Sequence, residues 1–348
     1  MPRLRVVIID DSLVFRTFLI QSLGRDRDIE IVGVYGDPVD ALAHLGEVSP
    51  DVMTVDMEMP KMRGDDFLRT ALPKHKKIRA VVISSLSANV FDAMHAGAID
   101  FVAKPGAQPG YGNAQFVADI LRKIKIAGGA TAQVRPLAHP HTPLPYVPLS
   151  NIELSGITQR SIIAIGASTG GPEAIQDVVS RLPAAAPGVV IVQHMPPMFT
   201  KMYAERLDSI CAMTVREAKN GDRVVRGTAL VAPGGTHQMR VLSDSLGHYV
   251  RLYDEPKYGG HCPSVDVLFE SVARAAGSAA VGILLTGMGA DGAHGLLSMR
   301  RAGAFTIGQD EASCIVYGMP KVAFEIGGVS RQLPPAAIAD AAMAQFAR

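Results

Sequence analysis

Ser161-Ile162-Ile163-Ala164-Ile165-Gly166-Ala167-Ser168-Thr169-Gly170-Gly171 is the stretch on which the reading of this chain turns. An apolar, β-branched run ends in a bend of small residues, with one serine inside the bend. Such a run reads as a buried strand. The glycines permit a tight turn, and a helix after it aims free N–H groups back at the site. This is one way to present a nucleophilic hydroxyl. A phosphate-binding turn, or a turn with no chemistry at all, has the same spelling, so the stretch has to be read with the rest of the chain.

Working outward, 348 residues suffice for two domains. With 48% hydrophobic and 19% charged residues, the composition suits α/β domains with filled cores. A formal net charge of +1 gives no electrostatic case for nucleic acid or a membrane surface as partner. Cys211, Cys262 and Cys314 are scattered and odd in number. They form neither a disulfide framework nor a metal site, and a cytoplasmic location is expected. The N-terminal apolar stretch is broken by Asp10 and Asp11, unlike a signal peptide, and no later run is long enough for a bilayer.

Between residues 127 and 156 the periodic pattern fails, with Pro136, Pro140, Pro143, Pro145 and Pro148 close together. A segment so rich in proline reads as a semi-extended tether. It divides the chain into modules 1–126 and 157–348. Each alternates short apolar runs with helical spacing, as parallel sheets with crossover helices do. Strands are expected at 6–9, 29–34, 52–55, 80–83 and 100–103, then at 162–165, 189–192, 229–231 and 281–285. Helices are expected at 12–23 and 38–45, capped by Ser12 and Asp37, and at 172–182, 199–209, 265–276 and 293–300.

In the first module, chemistry-bearing residues stand where apolar strands end: Asp10 and Asp11, Asp56, Ser84 and Lys104. In an open parallel sheet those ends share one edge, where ligands bind. Three clustered acids repel one another unless a cation sits among them, and hard oxygen donors suit Mg²⁺. With the charge cancelled, Asp56 could attack a phosphoryl group, with Lys104 and Ser84 on its oxygens. Ile9-Asp10-Asp11-Ser12, Asp56-Met57-Glu58-Met59-Pro60, Ser84-Ser85 and Lys104-Pro105 together resemble the receiver domain of bacterial response regulators. The resemblance implies a flavodoxin-like fold and phosphorylation of Asp56 by a histidine kinase. It also implies Mg²⁺ held by Asp11, Asp56 and the Glu58 carbonyl, with Asp10 nearby, and a switch formed by Ser84 and Phe101.

In the second module Ser168, His194 and the loop Thr286-Gly287-Met288-Gly289-Ala290-Asp291-Gly292 follow three expected strands. If the strands are parallel, a hydroxyl, an imidazole and a carboxylate meet at one edge: a nucleophile, its base and the group that orients the base. His237 rivals His194, and Asp266 and Asp310 rival Asp291. His248 reads as a solvated residue of a hairpin turn and His294 as a surface residue. The order Ser, His, Asp differs from the α/β-hydrolase order, and the glycine spacing is not that of a dinucleotide site.

Gly166-Ala167-Ser168-Thr169-Gly170-Gly171, Gln193-His194-Met195, Pro263-Ser264-Val265-Asp266-Val267-Leu268-Phe269 and Leu285-Thr286-Gly287-Met288-Gly289-Ala290-Asp291-Gly292 resemble the CheB family of chemotaxis methylesterases. With the receiver in front, the likeness runs nearly end to end. It implies a doubly wound, mostly parallel α/β catalytic domain with Ser168 as nucleophile, His194 as base and Asp291 as its partner. The oxyanion donor maps to an N–H in the Met288 loop, with Thr169 beside the nucleophile. The implied activity is phosphorylation-regulated hydrolysis of γ-glutamyl methyl esters on chemoreceptors through an acyl-enzyme, with glutamine deamidation as a second activity and no cofactor for the esterase. The alternative is a receiver-controlled esterase or adaptor in a chemosensory pathway that does not serve motility. Cys262 stands where many relatives have arginine, which puts any substrate contact of that arginine in doubt and suggests sensitivity to oxidation.

Overall fold

The computed structural model describes residues 2–85, 89–107, 110–130, 156–235 and 237–347. The chain divides into two compact units, residues 1–140 and 141–348. Most of the expected proline-rich tether, 131–155, lies outside the described residues.

The first unit runs β1 (Leu4–Ile9), α1 (Leu13–Leu23), β2 (Ile29–Tyr35), α2 (Pro38–Val48), β3 (Val52–Asp56), α3 (Gly64–Ala71), β4 (Arg79–Ser84), α4 (Val90–His95), β5 (Asp100–Ala103) and α5 (Asn113–Gly129). Its five strands are parallel in the order β2-β1-β3-β4-β5, as in flavodoxin-like folds. The strand order reverses between β1 and β3, the switch point at which open α/β sheets bind ligands. Ser12 caps α1 by accepting the Phe15 N–H at 3.3 Å, and Asp37 caps α2 by accepting that of Val39 at 2.9 Å. Strand β3 is buried along its whole length, as expected of a central strand covered on both faces.

One boundary differs from expectation. The sequence pattern fails at about residue 127, yet α5 continues through Gly129. Phe116, Ile120, Ile124 and Ala127 form one buried stripe, and Gly128 lies against the Leu4 side chain, where a Cβ would meet Leu4 Cδ1 at 2.3 Å. Tertiary packing carries the helix past the point where glycine content suggests a stop.

The second unit runs β6 (Ile162–Ala167), α6 (Gly171–Val179), β7 (Gly188–Gln193), α7 (Phe199–Ile210), β8 (Thr214–Glu217), β9 (Arg223–Val224), β10 (Thr228–Val231), β11 (His237–Asp244) and β12 (Gly247–Asp254). It continues with α8 (Val265–Ala276), β13 (Ala280–Leu284), α9 (Ala293–Arg301), β14 (Phe305–Gln309), α10 (Met319–Glu325), β15 (Arg331–Leu333) and α11 (Pro335–Met343). Seven parallel strands lie in the order β15-β14-β13-β6-β7-β10-β8. From β6 the chain first winds toward β8 and then returns to β13 and winds the other way. The fold is therefore doubly wound, and its switch point lies between β6 and β13. An antiparallel sheet of order β11-β12-β9 packs beside it through Met239, Val241 and Val250, which join Leu268, Phe269 and Val272 of α8 in the core.

Candidate functional site

In the second unit, Ala167 and Gln193 are register partners at the ends of β6 and β7, so the next residues, Ser168 and His194, lie side by side. The His194 N–H donates to the Ala167 carbonyl at 3.1 Å. The Ser168 peptide is held on both sides. Its N–H donates to the Thr286 carbonyl at 3.0 Å, and its C=O accepts from Gln193 Nε2 and from the Gly171 N–H, both at 2.8 Å. Thr286 follows β13, so the serine is pinned at the switch point. Gly170 adopts φ 76°, a left-handed conformation that starts α6 directly behind the serine. Gly287 leaves no room for a side chain, since a Cβ there would stand 2.7 Å from Ser168 Cβ and 2.2 Å from Met319 Sδ.

Asp291 is brought from the loop after β13 to His194, with Nε2 and Oδ2 2.7 Å apart. The carboxylate also accepts from Ser264 Oγ at 2.7 Å and from the N–H groups of Val265 at 2.8 Å and Asp266 at 3.0 Å. It therefore sits at the N-terminus of α8, where the helix dipole and unpaired N–H groups favour an anion. Burial alone pushes this carboxyl up, but His194, the Asp266 amide and Ser264 outweigh it and bring it down to about 2. An ionised Asp291 accepts the Nε2 proton, which leaves Nδ1 as the lone-pair nitrogen of His194. Nδ1 is buried and has no hydrogen-bond partner among the described residues. The Ser168 Oγ–Nδ1 hydrogen bond is thus not formed in this arrangement, as is common for catalytic groups before substrate binds.

The rival residues have other places. His237 is exposed at the start of β11. His294 is exposed on α9. His248, expected to be solvated, is instead buried inside β12, bonded to Ser243 Oγ at 2.7 Å and to the Arg160 carbonyl at 3.0 Å. The hairpin turn falls at Ser245 and Leu246, so the histidine points inward from the strand. Asp266 accepts the Gly295 N–H at 2.7 Å, and burial raises its carboxyl to about 6. Asp310 accepts the Ser313 N–H at 3.0 Å.

Met288 is exposed, and Thr169 is buried with its carbonyl accepting from Thr286 Oγ1 at 3.0 Å. Three supporting residues were not singled out from the sequence: Gln193, Ser264 and Thr286. All three stand inside the motif stretches, and Ser264 also left a local signal, a serine immediately before an apolar helix. Cys262 is half-buried, and burial raises its thiol, which lowers its thiolate fraction and its reactivity.

In the first unit, Asp10, Asp11 and Asp56 each offer a carboxylate oxygen within 4.8 Å of the others. Lys104 Nζ lies 2.7 Å from Asp56 Oδ2 and 3.4 Å from Asp10 Oδ2. Burial and repulsion from Asp56 raise the Asp10 carboxyl to about 6 in spite of Lys104 and the Ser12 amide. Asp10 Oδ2 and Ser84 Oγ are both buried and make no hydrogen bond among the described residues. The Glu58 N–H reaches Asp56 Oδ1 at 3.4 Å. Phe101 is buried on β5, edge-on to Phe91 with centroids 6.3 Å apart, and Lys123 Nζ lies 5.1 Å over its ring.

Residues 163–342 match the family described as CheB methylesterase, and residues 6–110 match the response regulator receiver domain. The chain is 50% identical to a protein-glutamate methylesterase/protein-glutamine glutaminase of Syntrophomonas wolfei, covering 95% of this chain and 94% of that one. The chain belongs to the CheB methylesterase family. A second family member of the same description, from Syntrophotalea carbinolica, is 46% identical over 94% of each chain. Among solved structures, the CheB methylesterase catalytic domain of Thermotoga maritima aligns with a TM-score of 0.52 at 35% identity, covering 53% of this chain and 97% of that domain. Among the described residues, no helix is long and apolar enough to cross a membrane.

Proposed function

We propose that the chain is a cytoplasmic hydrolase of γ-glutamyl methyl esters on methyl-accepting chemoreceptors, and of the side-chain amide of glutamine, switched by phosphorylation of Asp56. The observation that supports it best is the His194 ring held at Nε2 by a fully bonded Asp291, beside Ser168 on the neighbouring strand end. Relatives of the same two-domain length carry both activities in their names.

In the proposed reaction His194 Nδ1 takes the Ser168 proton as Oγ attacks the ester carbonyl. The tetrahedral oxyanion is received by backbone N–H groups of the Met288 loop, each worth about 3 kcal/mol. Protonated His194 returns the proton to the departing methoxide, methanol leaves, and Ser168 carries the glutamyl acyl group. Water deprotonated by His194 then releases glutamate and regenerates the serine. With glutamine the leaving group is ammonia and the steps are the same.

The receiver residues fit a divalent cation. Hard carboxylate oxygens cluster at the end of β1 and β3, and Lys104, 3.4 Å from Asp10 Oδ2 and 2.7 Å from Asp56 Oδ2, brings one positive charge to three acids. Asp10, Asp11, Asp56 and the Glu58 carbonyl would hold Mg²⁺, which supplies the positive charge that lets an acidic cluster approach a phosphoryl donor. Asp56 would then accept phosphate from a chemotaxis histidine kinase, with Lys104 and Ser84 on the phosphate oxygens. Phe101 and Ser84 would pass the change on, so that the phosphorylated receiver no longer restrains access to Ser168.

The test is methanol release from methylated receptor in membranes, with and without a small phosphodonor. Wild type is expected to release methanol, faster with the phosphodonor and Mg²⁺. No methanol release under either condition would remove the reading.

A further inference from the structure

We infer that His261 is a positioning residue for the base, a role that rests on the reading of Ser168, His194 and Asp291 given above. The His261 ring lies face to face with that of His194, centroids 3.9 Å apart and planes 5° apart. Aromatic pairs with free choice favour offset or edge-to-face contacts at larger centroid separations. A close coplanar pair is therefore imposed by the backbones that carry the two rings.

The His194 ring needs such a neighbour. It is bonded at Nε2 to Asp291, while Nδ1 has no hydrogen bond among the described residues. One hydrogen bond fixes a point and leaves the ring free to tilt about it. A plane against the ring face removes the tilt and fixes the direction of the Nδ1 lone pair. An aromatic face also attracts the positive charge that His194 gains on accepting a proton.

His261 is itself firmly held. Its N–H and C=O exchange hydrogen bonds with Tyr258, both 2.9 Å, and the same C=O accepts from Gln238 Nε2 at 3.1 Å. Gln238 is fully buried, and its Oε1 accepts the Ser264 N–H at 2.8 Å. Ser264 Oγ in turn donates to Asp291 at 2.7 Å. One short turn, residues 261–264, thus holds both the face of the base and the carboxylate behind it.

The test measures methanol release by the full chain on methylated receptor, with phosphodonor and Mg²⁺, for His261→Ala and His261→Phe. His261→Ala is expected to lower kcat by about 10- to 100-fold with KM within about twofold. His261→Phe, which keeps a flat ring, is expected to recover most of kcat. Three results overturn the inference: an unchanged kcat in His261→Ala, a loss confined to KM, or a phenylalanine variant no better than alanine. If His261→Ala melts well below wild type, His261→Gln replaces it as the variant without an aromatic ring, and the same order is expected. Ser168→Ala and His194→Ala run alongside. Wild-type rates in those two would defeat the reading of the site itself, whatever His261 does.

Discussion

The two units place their polar residues in the same location, the C-terminal ends of parallel strands at a topological switch point, and leave them in opposite electrostatic states. Beside β6 and β13, Asp291 has four hydrogen-bond donors and its carboxyl is brought down to about 2. Beside β1 and β3, Asp10 and Asp56 share the single ammonium of Lys104, and burial and repulsion from Asp56 still raise the Asp10 carboxyl to about 6. At the edge of the second unit the carboxylate is already paired as folded, and only the bond between Ser168 Oγ and His194 Nδ1 is unmade. The receiver edge is a set of donors that charge from outside would complete. Preorganisation suits a reaction that must run without rearrangement, whereas an unsatisfied cluster suits a signal that arrives as a cation and a phosphate.

The sharpest way to break this contrast is to unpair the catalytic edge. Asp291→Asn removes the negative charge beside the ring and turns one of the two oxygens into an NH₂ group, set either against His194 Nε2 and the Val265 N–H or against Ser264 Oγ and the Asp266 N–H. Kcat for methanol release is expected to fall by about 10³- to 10⁴-fold. A fall below tenfold would mean that Asp291 does not orient the base. On the receiver side, Asp56→Asn is expected to abolish stimulation by the phosphodonor while leaving the unstimulated rate within about twofold. Chelating Mg²⁺ from wild type is expected to have the same effect, and stimulation that survives chelation would count against the cation.

The opposite shifts also give opposite pH slopes. Asp10 binds its proton more tightly in the folded chain than in the unfolded one, so stability is expected to fall as pH rises from about 4 to about 6 and to stay low above. Asp291 is shifted the other way, so its contribution is present above about 4 and is lost as pH falls toward about 2. At neutral pH, Asp10→Asn is expected to stabilise the first unit by on the order of 1–2 kcal/mol. Hydrogen exchange at the β1 and β3 amides measures this, and faster exchange in the variant would contradict it. Gly287→Ala tests the close packing behind the serine. Its Cβ would press on Ser168 and Met319, costing about 1–3 kcal/mol in thermal unfolding and lowering kcat by about tenfold.

Much of this contrast was legible in the sequence. Apolar runs ending in Asp10, Asp56, Ser84, Ser168 and His194 mark strand ends, and parallel strands bring such ends to one edge. Spacing alone left Asp266 as a rival of Asp291, and it was the family resemblance that pointed to Asp291; the two lie in segments that pack together, and the direction of their hydrogen bonds separates them. His248 departs from expectation because a two-residue turn shifts it into the strand and toward the core. The support given by Gln238, His261 and Ser264 joins β11, the turn before α8 and the loop after β13. No local pattern reports contacts between residues so far apart in sequence.

The most direct measurement is the rate of methanol release from methylated receptor by Ser168→Ala, in the presence of phosphodonor and Mg²⁺, against wild type. If Ser168 is the nucleophile of a preorganised site, the rate falls by about 10⁴-fold or more with the receiver still accepting phosphate. A rate within tenfold of wild type would place the chemistry elsewhere.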